Sequence, residues 1–203
     1  MRIAWILGWA VPAGWFAPLV QAAFPDDEHH FFSAEPNWLE HLRAGGPWDS
    51  VAGYSLGSLL LLQEAAAVAQ LTPRVVLLAP VLAFAQEEAL GGKAPRTQVR
   101  YLARWVRRDP VAALADFYTR AGLLGCERAG PLVSAEELQW GLDKLAQDRC
   151  DAPWPQGWTG YVGDEDALLD AGMLVRIQPA LNAVDGASHH PEALLHAWAR
   201  DYQ

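Results

Sequence analysis

At 203 residues, 52% hydrophobic and 19% charged, the chain has the length and composition of one globular unit with a substantial core, which excludes a disordered or fibrous protein. A net charge of −9 excludes non-specific nucleic-acid binding as a main activity. Two cysteines, Cys126 and Cys150, are too few for a disulfide framework or a cysteine-based zinc motif, and imply reduced thiols in the cytoplasm.

Arg2 to Leu7 is a short apolar run that stops at Gly8, the pattern of a buried strand. The wider apolar stretch to Phe24 imitates a signal peptide. Gly8, Pro12, Gly14 and Pro18 interrupt it, so it reads as strand, loop and a short helix over Trp15 to Ala23. His29 to Ser33 is expected to be a strand near a sheet edge. Glu35 to Arg43 has the pattern of an amphipathic helix, which Gly45-Gly46-Pro47 ends. Asp49 to Gly53 is the next strand, and Leu56 to Gln70 reads as one helix with a strongly apolar first half. Arg74 to Pro80 is a continuous apolar run that suits a central parallel strand.

From Val81 to Cys150 only helical periodicity is visible. Strand character returns at Gly157 to Val162, followed by a helix over Leu168 to Ile177, a strand over Ala180 to Val184 and a closing helix over Pro191 to Tyr202. Strands alternating with helices imply an α/β chain with a short, doubly wound, mostly parallel sheet. Residues 1–80 and 151–203 form its core. Residues 81–150 form a helical insertion after a strand end, where a lid would sit. Ten tryptophans suggest aromatic walls around a pocket, beside those that only pack in the core.

The stretch Val51-Ala52-Gly53-Tyr54-Ser55-Leu56-Gly57-Ser58 joins strand to helix in the form G-x-S-x-G. Such a turn strains the backbone and lifts the serine hydroxyl out of the sheet, beside the free N–H groups of the helix start. A nucleophilic serine needs a base, and the base an orienting acid. An acidic loop, Gly163-Asp164-Glu165-Asp166, follows one expected strand, and His189-His190 follows the last. Both lie just past strand ends, where sheets of this kind place their ligands. His29, His30, His41 and His196 read as surface or packing residues, and none has a partner at metal-ligand spacing.

Of 15 basic residues, seven lie between positions 93 and 120. Arg96, Arg100, Arg104, Arg107 and Arg108 recur every three or four residues and share one helix face, with Val99, Leu102, Ala103 and Val106 largely on another. Asp109-Pro110 ends that helix. The face is either ordinary solvated surface or a docking surface for an acidic partner.

Taken together, these residues resemble the α/β-hydrolases, in a short form without the two N-terminal strands that many members carry. The resemblance implies the α/β-hydrolase fold, a serine esterase mechanism with Ser55 as nucleophile, and no metal or organic cofactor. The family pattern Gly-x-x-Asp, with an aliphatic residue after it (here Leu169), selects Asp166 as the acid, with Asp164 as the alternative. Gly186-Ala187-Ser188-His189 resembles the family's Gly-x-Gly-His and selects His189. Leu7-Gly8-Trp9-Ala10 resembles the oxyanion loop His-Gly-Trp-x, with leucine in place of histidine. It implies that the N–H groups of Trp9 and Leu56 form the oxyanion hole and line the substrate site.

The run from Gly92-Lys93-Ala94-Pro95-Arg96 through Arg107-Arg108-Asp109-Pro110 to Phe117-Tyr118 resembles the lid of the pimeloyl-acyl-carrier-protein methyl ester carboxylesterases of biotin synthesis. That likeness implies a carrier-linked methyl ester as substrate, Phe117 as a contact of the acyl chain, and acyl carrier protein as partner of the five arginines. Nucleic acid and membrane are not expected partners. The alternatives are a triad-dependent lyase of the menaquinone-synthase type, a general short-chain carboxylesterase, and a binding protein that keeps the fold without catalysis.

Overall fold

A computed structural model describes residues 1–126 and 134–202. Its frame is a parallel sheet of six strands among the described residues: β1 (Arg2–Ile6), β2 (Glu28–Phe32), β3 (Ser50–Tyr54), β4 (Val75–Leu78), β5 (Thr159–Gly163) and β6 (Leu181–Val184). The strands stand in the order β2-β1-β3-β4-β5-β6, and each neighbouring pair is parallel. The inner strands β3 and β4 are buried throughout, as their unbroken apolar runs require. β2 is the edge strand its histidines suggested.

The chain winds outward from β1 to β2, then crosses to β3 and winds the other way. The direction therefore reverses between β1 and β3, and such a reversal opens a crevice at the carboxyl ends of the two strands. Ile6 pairs in register with Gly53, so the Gly8-Trp9 loop leaves the sheet next to Ser55.

Helices α1 (Ala13–Ala23) and α9 (Pro191–Tyr202) pack on each other, and α3 (Leu56–Gln63) packs on β1 and β3. Trp5, fully buried on β1, joins α1 and α9 through its contacts with Phe16 (5.7 Å), Phe24 (6.3 Å) and Trp198 (5.3 Å). The stretch that imitates a signal peptide thus supplies an inner strand and a core helix. No helix among the described residues is long and apolar enough to cross a membrane.

Three boundaries differ from the sequence expectation by three residues or more, the others by no more than two. The single helix foreseen over Leu56 to Gln70 breaks at Glu64, where φ −107° and ψ 26° end α3 before the short α4 (Ala65–Val68). The earlier helix is α2 (Trp38–Gly45), which starts three residues later than Glu35. The helix expected from Leu168 begins only at Ala171. Leu168 and Leu169 donate their N–H groups to Asp166, and Asp170 accepts from Met173 as the N-cap of α8 (Ala171–Ile177). A local side-chain acceptor has outcompeted the helix there.

The expected insertion contains α5 (Arg96–Arg108), α6 (Pro110–Ala121) and α7 (Ala135–Gln147), with α5 packed on both of the others. Its residues 127–133 lie outside the described residues. Among the described ones it holds isolated bridges but no strand, and Asp109 both ends α5 and caps α6 by accepting from Ala112. Val99 and Val106 are buried, while Leu102 and Ala103 are half-buried.

Gly57 shows why the turn after β3 needs its second glycine. A β-carbon there would stand 2.1 Å from the Ile6 carbonyl oxygen, a backbone atom that has no room to retreat. Gly57→Ala is expected to destabilise the fold by at least ~3 kcal/mol, read from the urea midpoint, because β1 and α3 must separate to admit the methyl group.

Candidate active site

The sequence places Ser55 between β3 and α3, and the structure gives it φ 52° and ψ −116°. A non-glycine residue with positive φ is strained, and the surroundings must hold it in place. Here Ser58 Oγ donates to the Ser55 carbonyl (2.5 Å) and accepts from the Val81 N–H (3.1 Å), while the Ser55 N–H donates to the Leu78 carbonyl (2.9 Å). These bonds tie the turn to the end of β4. The hydroxyl, lifted clear of the sheet, reaches His189 Nε2 at 3.1 Å.

His189 lies past β6, in a loop that packs on the end of β5. Its Nδ1 meets Asp166 Oδ2 at 2.7 Å, and both side chains are almost fully buried. The other carboxylate oxygen, Oδ1, accepts from Leu168 N–H (2.7 Å) and Leu169 N–H (3.0 Å). The carboxylate is therefore oriented by two backbone donors on one oxygen and by the imidazole on the other. Tyr54 OH donates to the His189 carbonyl at 2.8 Å and anchors the histidine loop to β3. Burial raises the Tyr54 phenol well above its ordinary pKa of 10, so it remains a donor.

The sequence left two neighbouring residues as competitors. Asp164 is exposed, and its Oδ1 accepts from Gly186 N–H (2.7 Å), which holds the turn leading to His189. His190 points elsewhere: its ring packs edge-on against Trp15 at 5.1 Å, and burial lowers its pKa. The three residues brought into line are Ser55, His189 and Asp166.

The residues expected to supply the oxyanion donors flank Ser55. Leu56 is the first residue of α3, so its N–H has no intrahelical acceptor. A β-carbon on Gly8 would lie 3.2 Å from Ser55 Cβ, which sets the start of the Gly8–Val11 turn directly against the serine. In that turn Val11 N–H donates to Gly8 O (3.2 Å) and Ala10 adopts φ 56°. Residues of the expected insertion brace this turn. Trp9 Nε1 donates to the Leu138 carbonyl (2.9 Å), Tyr118 OH donates to the Ala10 carbonyl (2.5 Å), and Phe117 meets the Trp9 ring edge-on at 4.7 Å.

Phe117 also lines a cavity of about 160 Å³ between α5, α6 and the acid loop. Phe84, Val99, Leu102 and Leu168 form apolar wall, with Lys93 among the polar lining residues. Trp105 lines the cavity too, whereas Trp154 and Trp158 do not. Among the described residues, no three His, Cys, Asp or Glu side chains group as metal ligands.

The five arginines lie on α5 as the periodicity foresaw, with unequal freedom. Arg96 is half-buried and forms an ion pair with Glu88, and its backbone N–H is taken by Glu87. Arg107 donates to Gln139 (2.9 Å), and Arg104 Nε donates to the Arg100 carbonyl (3.3 Å). Arg100, Arg104, Arg107 and Arg108 are exposed, and Arg100, Arg104 and Arg107 line a shallow groove between α5 and α7. Lys93 and Tyr118 were not singled out for roles in the sequence. Their contacts span 73 and 108 residues, and no local pattern records them.

No protein-family model matches the chain, and no curated protein sequence matches it. Solved structures do match. A thermophilic esterase from Thermogutta terrifontis, solved with malate bound, aligns with a TM-score of 0.67 at 14% identity, covering 100% of this chain and 89% of its own. An α/β-fold family hydrolase from Bacillus anthracis aligns with a TM-score of 0.65 at 12% identity, covering 100% and 92%. The bottromycin epimerase BotH aligns with a TM-score of 0.66 at 17% identity, covering 99% and 88%. With its parallel six-stranded sheet and flanking helices, the chain has the α/β-hydrolase fold.

Proposed function

We propose that the chain is a serine hydrolase of carboxylic esters, with Ser55 as nucleophile, His189 as general base and Asp166 as the acid that orients the imidazole. The carrying observation is the unbroken line from Ser55 Oγ to His189 Nε2 (3.1 Å) and from His189 Nδ1 to Asp166 Oδ2 (2.7 Å). An esterase and an epimerase share the fold, so the reading rests on the site and not on the fold.

In the reaction, His189 takes the Ser55 proton as Oγ attacks the ester carbonyl. The N–H groups of Trp9 and Leu56 receive the developing oxyanion, each such donor contributing ~3 kcal/mol to lowering the barrier. Collapse expels the alcohol, which leaves with the proton held on His189. Water then attacks the acyl-enzyme with His189 again as base, while Asp166 stays ionised and fixes the tautomer. Of the expected substrate contacts Phe117 lines the cavity, whereas Trp9, Leu56, Ser55 and His189 do not, so the acyl length is to be read from a series of esters and not from the cavity. Hydrolysis of p-nitrophenyl butyrate by the purified chain, lost after fluorophosphonate treatment, is the expected result. Absence of turnover on every short p-nitrophenyl ester would contradict the reading.

A narrower proposal follows from α5. Residues 93–120 carry seven basic and two acidic side chains, a charge of +5, which leaves −14 for the rest of the chain. The exposed Arg100, Arg104, Arg107 and Arg108 support a carrier-linked methyl ester, of the pimeloyl type, delivered by an acidic acyl carrier protein. The carrier-linked ester should then react faster than the free methyl ester at low salt, and the advantage should vanish as salt rises. The paired change Arg100→Glu and Arg104→Glu should lower kcat/KM on the carrier-linked ester by about tenfold or more. Equal rates on both esters at all salt concentrations would rule out docking.

A further inference from the structure

The insertion touches the candidate triad through the short segment Gly91–Lys93, which runs alongside the loop after Asp166. Asp170 N–H donates to the Gly91 carbonyl (2.7 Å), Gly92 pairs with Leu169 in an antiparallel bridge, and Lys93 N–H donates to the Leu168 carbonyl (2.9 Å). A β-carbon on Gly92 would stand 2.1 Å from the Phe84 carbonyl oxygen, so the segment is held from behind as well. Lys93 is an exposed residue, but its side chain reaches back, and Nζ donates to the Asp166 carbonyl at 2.6 Å in a part-buried bond. The loop so gripped is the one whose Leu168 and Leu169 N–H groups orient the Asp166 carboxylate.

We propose that Lys93 is a positioning residue for the Asp166–His189 pair, and that seating the insertion on the core and aligning the triad are one event. The proposal rests on the reading of Ser55, His189 and Asp166 as a triad. A charge-assisted hydrogen bond to a carbonyl is among the stronger ones available, and no neutral alkyl chain replaces it. Without it the loop relaxes, and a misplacement of about 1 Å near reacting groups costs on the order of a hundredfold in rate.

The test compares wild type, Lys93→Met and Lys93→Arg, with thermal midpoints recorded to confirm that each folds. Lys93→Met should lower kcat on p-nitrophenyl butyrate by about ten- to a hundredfold with KM within about twofold, since Lys93 acts through the carboxylate. Lys93→Arg, which keeps a charged donor, should recover most of the rate. The second readout is the low-field proton resonance of His189 Nδ1–H bonded to Asp166, which should shift or broaden in Lys93→Met and return in Lys93→Arg. An unchanged kcat and resonance in Lys93→Met, a change in KM alone, or no recovery by arginine would each overturn the proposal. The resonance needs no turnover. A wild-type chain that hydrolyses no ester would sink the hydrolase reading, while the resonance would still decide the role of Lys93.

Discussion

Ser55→Ala is expected to lower kcat on p-nitrophenyl butyrate by about 10⁴- to 10⁶-fold while the thermal midpoint moves by only a few degrees. The size follows from what is removed: the only atom that forms the covalent acyl bond in the proposed mechanism. Stability should change little, because among the described residues Ser55 Oγ is bonded to His189 alone, and the strained backbone at φ 52° is held by Ser58 and Leu78 whichever side chain is present. His189→Ala should cost a similar factor, and the double variant little more than either, because the two residues act as a unit. Losses that multiplied in the double variant would mean independent roles and would contradict a shared proton transfer.

The second large effect separates two carboxylates two residues apart. Asp166→Asn should reduce kcat by about 10⁴-fold, whereas Asp164→Asn should leave it within several-fold of wild type. In the asparagine variant at 166, the amide oxygen continues to accept from Leu168 and Leu169, because only an oxygen satisfies those donors. The amide nitrogen then faces His189 Nδ1 and donates to it. That forces the tautomer with a proton on Nε2, which cannot accept the proton of Ser55. At position 164 the side chain only accepts from Gly186 N–H, and an asparagine oxygen does the same. Steady-state rates of the two variants on one ester decide the matter, and a reversed order would move the acid role to Asp164.

Much of this arrangement was legible because it follows the chain. Apolar runs bounded by glycine and proline mark β1, β3 and β4, and the order of serine, acid and histidine past strand ends needs no knowledge of distance. Choosing between Asp164 and Asp166 took a family resemblance, because loop length is invisible in composition. The break at Glu64 and the late start of α8 were not legible. A run of strong helix formers around Glu64 hides the break, and the claim of Asp166 on Leu168 and Leu169 becomes visible only once the loop is folded.

The bracing of the site was out of reach for a different reason. Trp9, Ala10 and Asp166 are held by Leu138, Tyr118 and Lys93 from the insertion. Contacts of that sequence separation arise from tertiary packing, which leaves no periodic trace. The arginine face shows the converse. Its helix and its register were evident from spacing alone, yet the diversion of Arg96 to Glu88 was not.

The most direct measurement is peptide mapping by mass spectrometry after the purified chain reacts with a fluorophosphonate. A nucleophile raised by the turn, deprotonated by His189 and faced by the Trp9 and Leu56 donors should take up one adduct per chain, carried on Ser55, with loss of ester hydrolysis in step. Hydrolysis that persists with Ser55 unmodified, or an adduct that forms equally on Ser55→Ala, would contradict the assignment of Ser55 as the nucleophile.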